Sequence, residues 1–141
     1  MTMRLMGLDV GTRTIGVAVS DVMGMIANGV ETIHRTSPTK DFERLEILIK
    51  QYGADTLIVG YPKNMNGSIG ERAKACEQFA KELEQRFQGV KVILWDERLS
   101  TVAAQRVLIE ADMSRNKRKK VVDTVAATII LQNYLDSVKK Y

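Results

Sequence analysis

Cysteine, histidine and tryptophan each occur once in these 141 residues. One thiol cannot close an intramolecular disulfide, and Cys76 lies in a helical pattern between Ala73 and Ala80, so it reads as a small core residue in a reducing compartment. A zinc site is not expected from one histidine and one cysteine, and the isolated His34 reads as a surface residue. Long apolar runs are also missing. The longest, near Val125 to Leu131, is far shorter than the roughly 20 residues of a membrane-spanning helix, and the amino terminus lacks the apolar core of a secretory leader. No serine or cysteine is set in a convincing nucleophilic triad. These absences lead to the expectation of a soluble, cytoplasmic chain with no membrane partner and no covalent catalysis.

What is present points to one folded domain over residues 1–141. The chain is 45% hydrophobic and 27% charged, and at this length a fold buries roughly two thirds of the unfolded surface. The formal net charge is +4 and the isoelectric point about 9.3. Much of the positive charge is local: Arg115-Asn116-Lys117-Arg118-Lys119-Lys120 sets five cations in six residues. A dense field of one sign suits an anionic partner, although a charge run is more often simply solvated.

The hydrophobic pattern predicts strands at Leu5 to Val10, Ile15 to Val19 and Met25 to Ile33, with turns at Gly11 to Thr14 and Asp21 to Gly24. Ser37-Pro38 announces a helix with Phe42, Leu45, Ile49 and Tyr52 on one face, stopped by Gly53. A strand at Thr56 to Val59 follows, ending at Gly60-Tyr61-Pro62. Ser68 and Glu71 have capping-box spacing for a second helix, which carries Ala73, Cys76, Ala80, Leu83 and Phe87 to Gly89. Val90 to Trp95 is a strand, and Ser100 or Thr101 caps a helix to about Glu110. The basic stretch is then a loop before a last helix, Val121 to Lys139, whose first half is apolar on a wide front. Three antiparallel strands followed by two parallel ones give an α/β fold, a mixed five-stranded sheet flanked by helices with the first strand central.

Three acids sit oddly in this pattern. Asp9 lies in the central strand, Glu97 follows the strand ending at Trp95, and Asp123 is flanked by Val122 and Val125 in the first turn of the last helix. Each has an ordinary reading: a turn acceptor, a cap, a first-turn acid favoured by the helix dipole. Together they are harder to explain so. A charge buried in a strand costs several kcal/mol unless it is paired or bound to a cation, and neighbouring carboxylates stay ionised only beside positive charge. Hard oxygen donors suit Mg2+ or Mn2+. Two such ions about 3.5–4 Å apart are the usual apparatus for hydrolysing a phosphodiester with water.

Four segments carry a family resemblance: Gly7-Leu8-Asp9-Val10-Gly11 through Ala18, Val59-Gly60-Tyr61-Pro62 with Asn66-Gly67-Ser68, Asp96-Glu97-Arg98-Leu99-Ser100-Thr101, and Val122-Asp123-Thr124-Val125-Ala126-Ala127. In order and over nearly the whole chain they resemble the YqgF family of pre-16S rRNA nucleases, also described as Holliday-junction-resolvase-like. The resemblance implies an RNase H-like fold, catalytic and metal-binding roles for Asp9, Glu97 and Asp123, and one or two Mg2+ or Mn2+ ions. It also implies precursor ribosomal RNA, or a branched DNA junction, as substrate, and ribosomal particles as partners. More distant RuvC-type resolvases carry a further acid one turn before the last aspartate, where this chain has Lys120. One ligand fewer is then left for a second ion.

Around the acids, Arg98 can grip a phosphate or form an ion pair with Asp96, which is itself the fallback ligand should the strand register slip by one. Ser68 begins a helix whose amides suit an anion. Arg115, Lys117, Arg118, Lys119 and Lys120 precede Asp123 and would deliver a nucleic-acid backbone to it. Two other classes remain open. Asp9-Val10-Gly11-Thr12 also resembles the phosphate loop of actin-like and sugar-kinase ATPases, which enclose the nucleotide between two such domains. A nucleic-acid-binding module without turnover is the other. The chain reads as a monomer or a homodimer, and paired cuts in a junction would need the symmetric dimer.

Overall fold

The computed structural model describes residues 4–64, 66–99 and 115–138, with backbone only for residues 99 and 115–123. The elements in order are β1 (Arg4–Val10), β2 (Thr14–Ser20), β3 (Ala27–His34), α1 (Pro38–Tyr52), β4 (Ala54–Tyr61), α2 (Glu71–Arg86), β5 (Lys91–Asp96), a 3-10 turn (Glu97–Leu99) and α3 (Arg115–Val138). The sheet order is β3-β2-β1-β4-β5. β1 to β3 pair antiparallel, while β4 lies parallel to both β1 and β5. This is the mixed five-stranded sheet with β1 at its centre that the pattern predicts.

Strand alternation divides the apolar residues between two faces. Met6, Leu8, Val10, Ile15, Val17, Leu57 and Val59 face α1 and α2, where Phe42, Leu45, Phe79 and Leu83 meet them. Ala18 and Ile58 face the other way, against Ala127, Ile130, Leu131 and Leu135 of α3. Every residue of α3 from Thr124 to Leu135 is at least partly buried, which is the wide apolar front expected of it. α1 has the expected ends: the Ser37 hydroxyl accepts the Lys40 N–H, Pro38 opens the helix, and Gly53 closes it in the left-handed conformation at φ 66°.

Four boundaries depart from the sequence reading. β3 starts at Ala27 because the Asp21 carboxylate takes the N–H groups of Met25 and Ile26 at 2.7 and 3.1 Å, closing a turn where pairing was expected. Those bonds, Ile26 foremost, hold the Asp21 carboxyl below the usual range. β4 is longer than expected and begins at Ala54. At α2, Gly70 is the N-cap and has no side-chain cap. Ser68 instead donates to Asn66 Oδ1 at 2.6 Å and accepts from Asn64 Nδ2 at 2.9 Å, tightening the loop before the helix. Finally, the basic stretch is no loop: α3 begins at Arg115, since arginine and lysine are good helix formers and neither glycine nor proline interrupts them. The caps expected at Ser100 or Thr101 and the helix to Glu110 lie outside the described residues, as does Lys139.

Candidate active site

Asp9 is 3% exposed and lies next to the carboxyl end of β1, opposite Gly16 on β2. Alternation sets it on the α3 face together with Gly7. That face is built for close approach. A Cβ on Gly7 would fall 2.7 Å from Leu131 Cβ and 2.9 Å from the Ala127 carbonyl oxygen, so the helix backbone rests directly on β1. Only glycine leaves room for it.

Contacts along β3 give the direction of α3. Gln132 Oε1 accepts from Ala27 N at 2.9 Å, and Thr124 Oγ1 meets Thr32 Oγ1 at 2.7 Å, so the helix runs antiparallel to β3 and β1. One turn before Ala127 is Asp123. Four helical residues rise about 6 Å and two strand residues about 6.6 Å, so the Asp123 backbone comes level with Asp9 as Ala127 does with Gly7. Its side chain lies outside the described residues.

Glu97 comes from the opposite side of β1. The parallel register pairs Leu8 with Val59, so one step further puts Asp9 beside Gly60 on β4. A Cβ on Gly60 would meet Glu97 Oε2 at 3.3 Å and the tip of Ile130 at 2.6 Å. The Glu97 carboxylate therefore occupies the space above Gly60, the residue beside Asp9 on the neighbouring strand. The 3-10 turn after β5 carries it there. Two acids far apart in sequence thus share one spot on the α3 face at the carboxyl end of the parallel strands.

A cation already belongs to this spot. Arg72, in the first turn of α2, has Nη2 3.4 Å from Asp9 Oδ1, with its own side chain half exposed and that of Asp9 buried. The buried Cys76 thiol, one turn along α2, feels all three charges. It is pushed up to about 11, first by burial and then by Glu97 and Asp9, while Arg72 opposes the shift. Arg72 does not stand out in the sequence, and Gly60 does so only within the segment Val59-Gly60-Tyr61-Pro62. The usable signals were a basic residue in the first helical turn after a parallel strand, and a glycine inside that strand.

The remaining expected residues are spread around this pair. Arg98 forks onto Asp96, with Nε 3.2 Å from Oδ1 and Nη2 2.8 Å from Oδ2, so the ion-pair alternative is the one realised. The Arg98 bonds hold the Asp96 carboxyl below its ordinary value. Asp96 is thereby paired with Arg98, and the carboxylate next to Gly60 is that of Glu97. Arg98 Nη1 lies 3.4 Å from where a Gly67 Cβ would be, which joins it to the loop holding Ser68. Ser68 and Arg98 therefore form a rim beside the acids. Tyr61 donates to Glu77 Oε1 at 2.6 Å, and that bond with burial pushes its phenol up to about 12. Arg115, Lys117, Arg118, Lys119 and Lys120 lie on the first two turns of α3, leading into Asp123. Cys76 is buried and His34 exposed, as expected. No helix among the described residues is long and apolar enough to cross a membrane.

Comparison with known proteins bears on this geometry. Among solved structures, RuvC of Thermus thermophilus in complex with a Holliday junction substrate superposes with a TM-score of 0.59 at 15% identity, over 96% of both chains. The fowlpox virus Holliday junction resolvase gives 0.55 at 18% identity, over 97% of this chain and all of that one. At such identities the likeness is one of fold. Sequence relatives are far nearer. A protein of Bacillus cytotoxicus is 57% identical over 137 residues and one of Geobacillus kaustophilus 56%, each match spanning 96% of this chain and 99% of the relative. Both carry the provisional name pre-16S rRNA nuclease. The RuvX model, described as Holliday junction resolvase, matches residues 3–137. The chain belongs to the RuvX family, also called YqgF.

Proposed function

We propose that the protein is a metal-dependent endonuclease that hydrolyses a phosphodiester bond at Asp9, Glu97 and Asp123, with precursor 16S ribosomal RNA as its substrate. The observation that carries this reading is the approach of the Glu97 carboxylate to the strand position beside Asp9, over a glycine that leaves space for it. Two neighbouring carboxylates repel unless positive charge lies between them. Oxygen donors alone fit Mg2+ or Mn2+. Among the described residues no three such ligands cluster, so the third donor in this reading is Asp123, whose backbone is level with Asp9. When bound, such an ion lowers the pKa of the attacking water and stabilises the leaving oxygen.

The chain's own groups do the rest. Asp9 and Glu97 are fixed by β1 and by the turn after β5, so little reorganisation is needed as charge develops. Arg72 keeps donors beyond the one facing Asp9, and these can hold a phosphate oxygen beside the acids. The basic turns of α3 raise the local concentration of the nucleic-acid backbone. RNA is favoured by the names of relatives more than half identical over nearly the whole chain. The family description favours a four-way DNA junction as the second reading.

Purified protein is offered a precursor rRNA fragment and a four-way DNA junction, each with Mg2+, Mn2+ or chelator. RNA cleavage that needs the metal and is lost in Asp9→Asn is the expected result, with 5′-phosphate and 3′-hydroxyl ends. Cleavage that persists in chelator sinks the metal mechanism. Nucleic-acid binding that ignores both metal and all three acid substitutions, without cleavage, makes the protein a binding module.

A further inference from the structure

On the face of β1 away from α3, a cavity of about 580 Å³ opens between α1 and α2, with Val10, Gly11, Arg35, Phe42, Arg72 and Phe79 among its walls. That volume is in the range of small-molecule sites, about 300–1,000 Å³. It begins at Val10, one residue beyond Asp9, and Arg72 belongs to both places: the same guanidinium that meets Asp9 lines the cavity. The wall is aromatic and rigid. Phe42 and Phe79 stack with centroids 5.0 Å apart, and the Arg35 guanidinium lies 5.6 Å from the Phe79 centroid. The rings themselves are buried, with Arg35 over Phe79 and Arg86 4.6 Å from the Phe42 centroid, so the surface offered to a flat base for stacking is the guanidinium plane of Arg35, which lines the cavity.

Charge narrows the occupant. Arg35 is committed to Asp41 and to the Gly11 carbonyl, which leaves Arg72 as the cavity's cation toward a ligand. Glu71 and Glu82 also line it, and they oppose an anion of several charges such as a free nucleoside polyphosphate. A strand offers one charge per phosphate. We propose that the cavity receives one unstacked nucleoside of a bound strand, next to the phosphate being cut, with Arg72 holding the phosphate that joins them. Gln78 and the two glutamates then accept N–H groups of the base, which favours guanine, adenine or cytosine over uracil. This rests on the nuclease reading for the position of the strand, but its test does not need hydrolysis.

Short single-stranded RNA carrying one photoreactive 6-thioguanosine is irradiated with the full-length protein in chelator, and the crosslinked peptide is mapped. Crosslinks to the α2 segment holding Ala75 to Phe79 are expected. Ala75 is exposed on the cavity wall, so Ala75→Trp fills the space from outside the core; it should reduce both that crosslink and RNA affinity on the order of tenfold. Gln78→Ala, also at an exposed position, gives a smaller loss in the same direction and serves if the tryptophan variant does not fold. Crosslinks confined to other segments, or undiminished in both variants, overturn the proposal. So does protection of the α2 peptide by free GMP in the absence of any crosslink from the strand. Metal-dependent cleavage is assayed separately, so the cavity can fail while the nuclease reading stands, and the reverse.

Discussion

The two faces of the sheet are packed with opposite materials. Toward α1 and α2 the strands present Met6, Leu8, Val10, Ile15, Val17, Leu57 and Val59, and the helices answer with phenylalanine and leucine. Toward α3 they present Gly7, Gly16, Ala18 and Gly60 around Ile58, and the helix answers with Ala126 and Ala127 before its larger residues. Bulky side chains keep a helix at a distance, whereas glycine and alanine let backbone rest on backbone. The closely packed face is also where Asp9 of the central strand and Glu97 from the end of an edge strand lie. Each face also buries one carboxylate to 3% exposure. On the α1 side, Asp41 is met by Arg35 Nε at 3.1 Å and Thr36 N at 3.2 Å, both within six residues of it. On the α3 face, Arg72 reaches Asp9 at 3.4 Å from 63 residues away. The first acid closes a local turn, and the second joins distant elements.

Exchanging the two acids' fates gives the largest expected effects. If the proposed metal site is right, Asp9→Asn and Glu97→Gln each remove a direct ligand and should lower the rate of metal-dependent cleavage by more than the roughly 100-fold that outer-shell changes cause. The denaturant midpoint of Asp9→Asn should stay level or rise, because a buried charge whose partner Arg72 is half exposed is replaced by a neutral amide. Arg35→Ala should do the reverse. It strips the buried Asp41 of a charged partner and frees the Gly11 carbonyl, costing roughly 2–3 kcal/mol in denaturant unfolding. A stable Arg35→Ala together with an unfolded Asp9→Asn would invert the distinction between the faces.

The glycines test the same difference at smaller scale. In Gly7→Ala the new methyl meets Leu131 Cβ and a carbonyl, neither of which can swing aside, so a loss of about 1–3 kcal/mol is expected from overpacking. In Gly60→Ala it meets the flexible tip of Ile130 and the Glu97 carboxylate. Stability should fall less than for Gly7→Ala, while cleavage per folded molecule falls more. Chemical unfolding and single-turnover cleavage on the same preparations separate the two.

Much of this was readable before any coordinates. The strand order follows from the apolar runs such as Leu5-Met6-Gly7-Leu8-Asp9-Val10 and from the helical spacing of Phe42, Leu45 and Ile49, because local pattern and short connections leave few topologies. Asp9 and Glu97 stood out for a related reason: charge next to apolar strand residues breaks the pattern. Gly60 was harder to read, because its role depends on a neighbour 37 residues later filling the space above it. Arg72 looked like any exposed charge at a helix start. The basic residues from Arg115 to Lys120 were misjudged as loop because charge density is a statement about solvation, and lysine and arginine support a helix equally well. Ser68 kept its capping spacing while a competing bond to Asn66 won.

The smallest effect concerns the boundary between the two faces, at Cys76. Burial, reinforced by Glu97 and Asp9, raises its thiol from 9.0 to about 11 in the folded chain, so folding favours the protonated form. That contribution is complete below pH 9 and is lost as pH rises through 11, where the folded and unfolded chains bind protons alike. Wild type should therefore lose stability more steeply than Cys76→Ala between pH 9 and 11. Tyr61 is pushed up to about 12, chiefly by its bond to Glu77, so its own titration falls above this window. The slope difference should shrink when Glu97→Gln is introduced into both backgrounds, because one of the charges opposing the thiolate is then gone. Equal slopes with and without Glu97 would mean that burial alone sets the thiol, and that α2 is electrostatically insulated from the acids on the far side of β1.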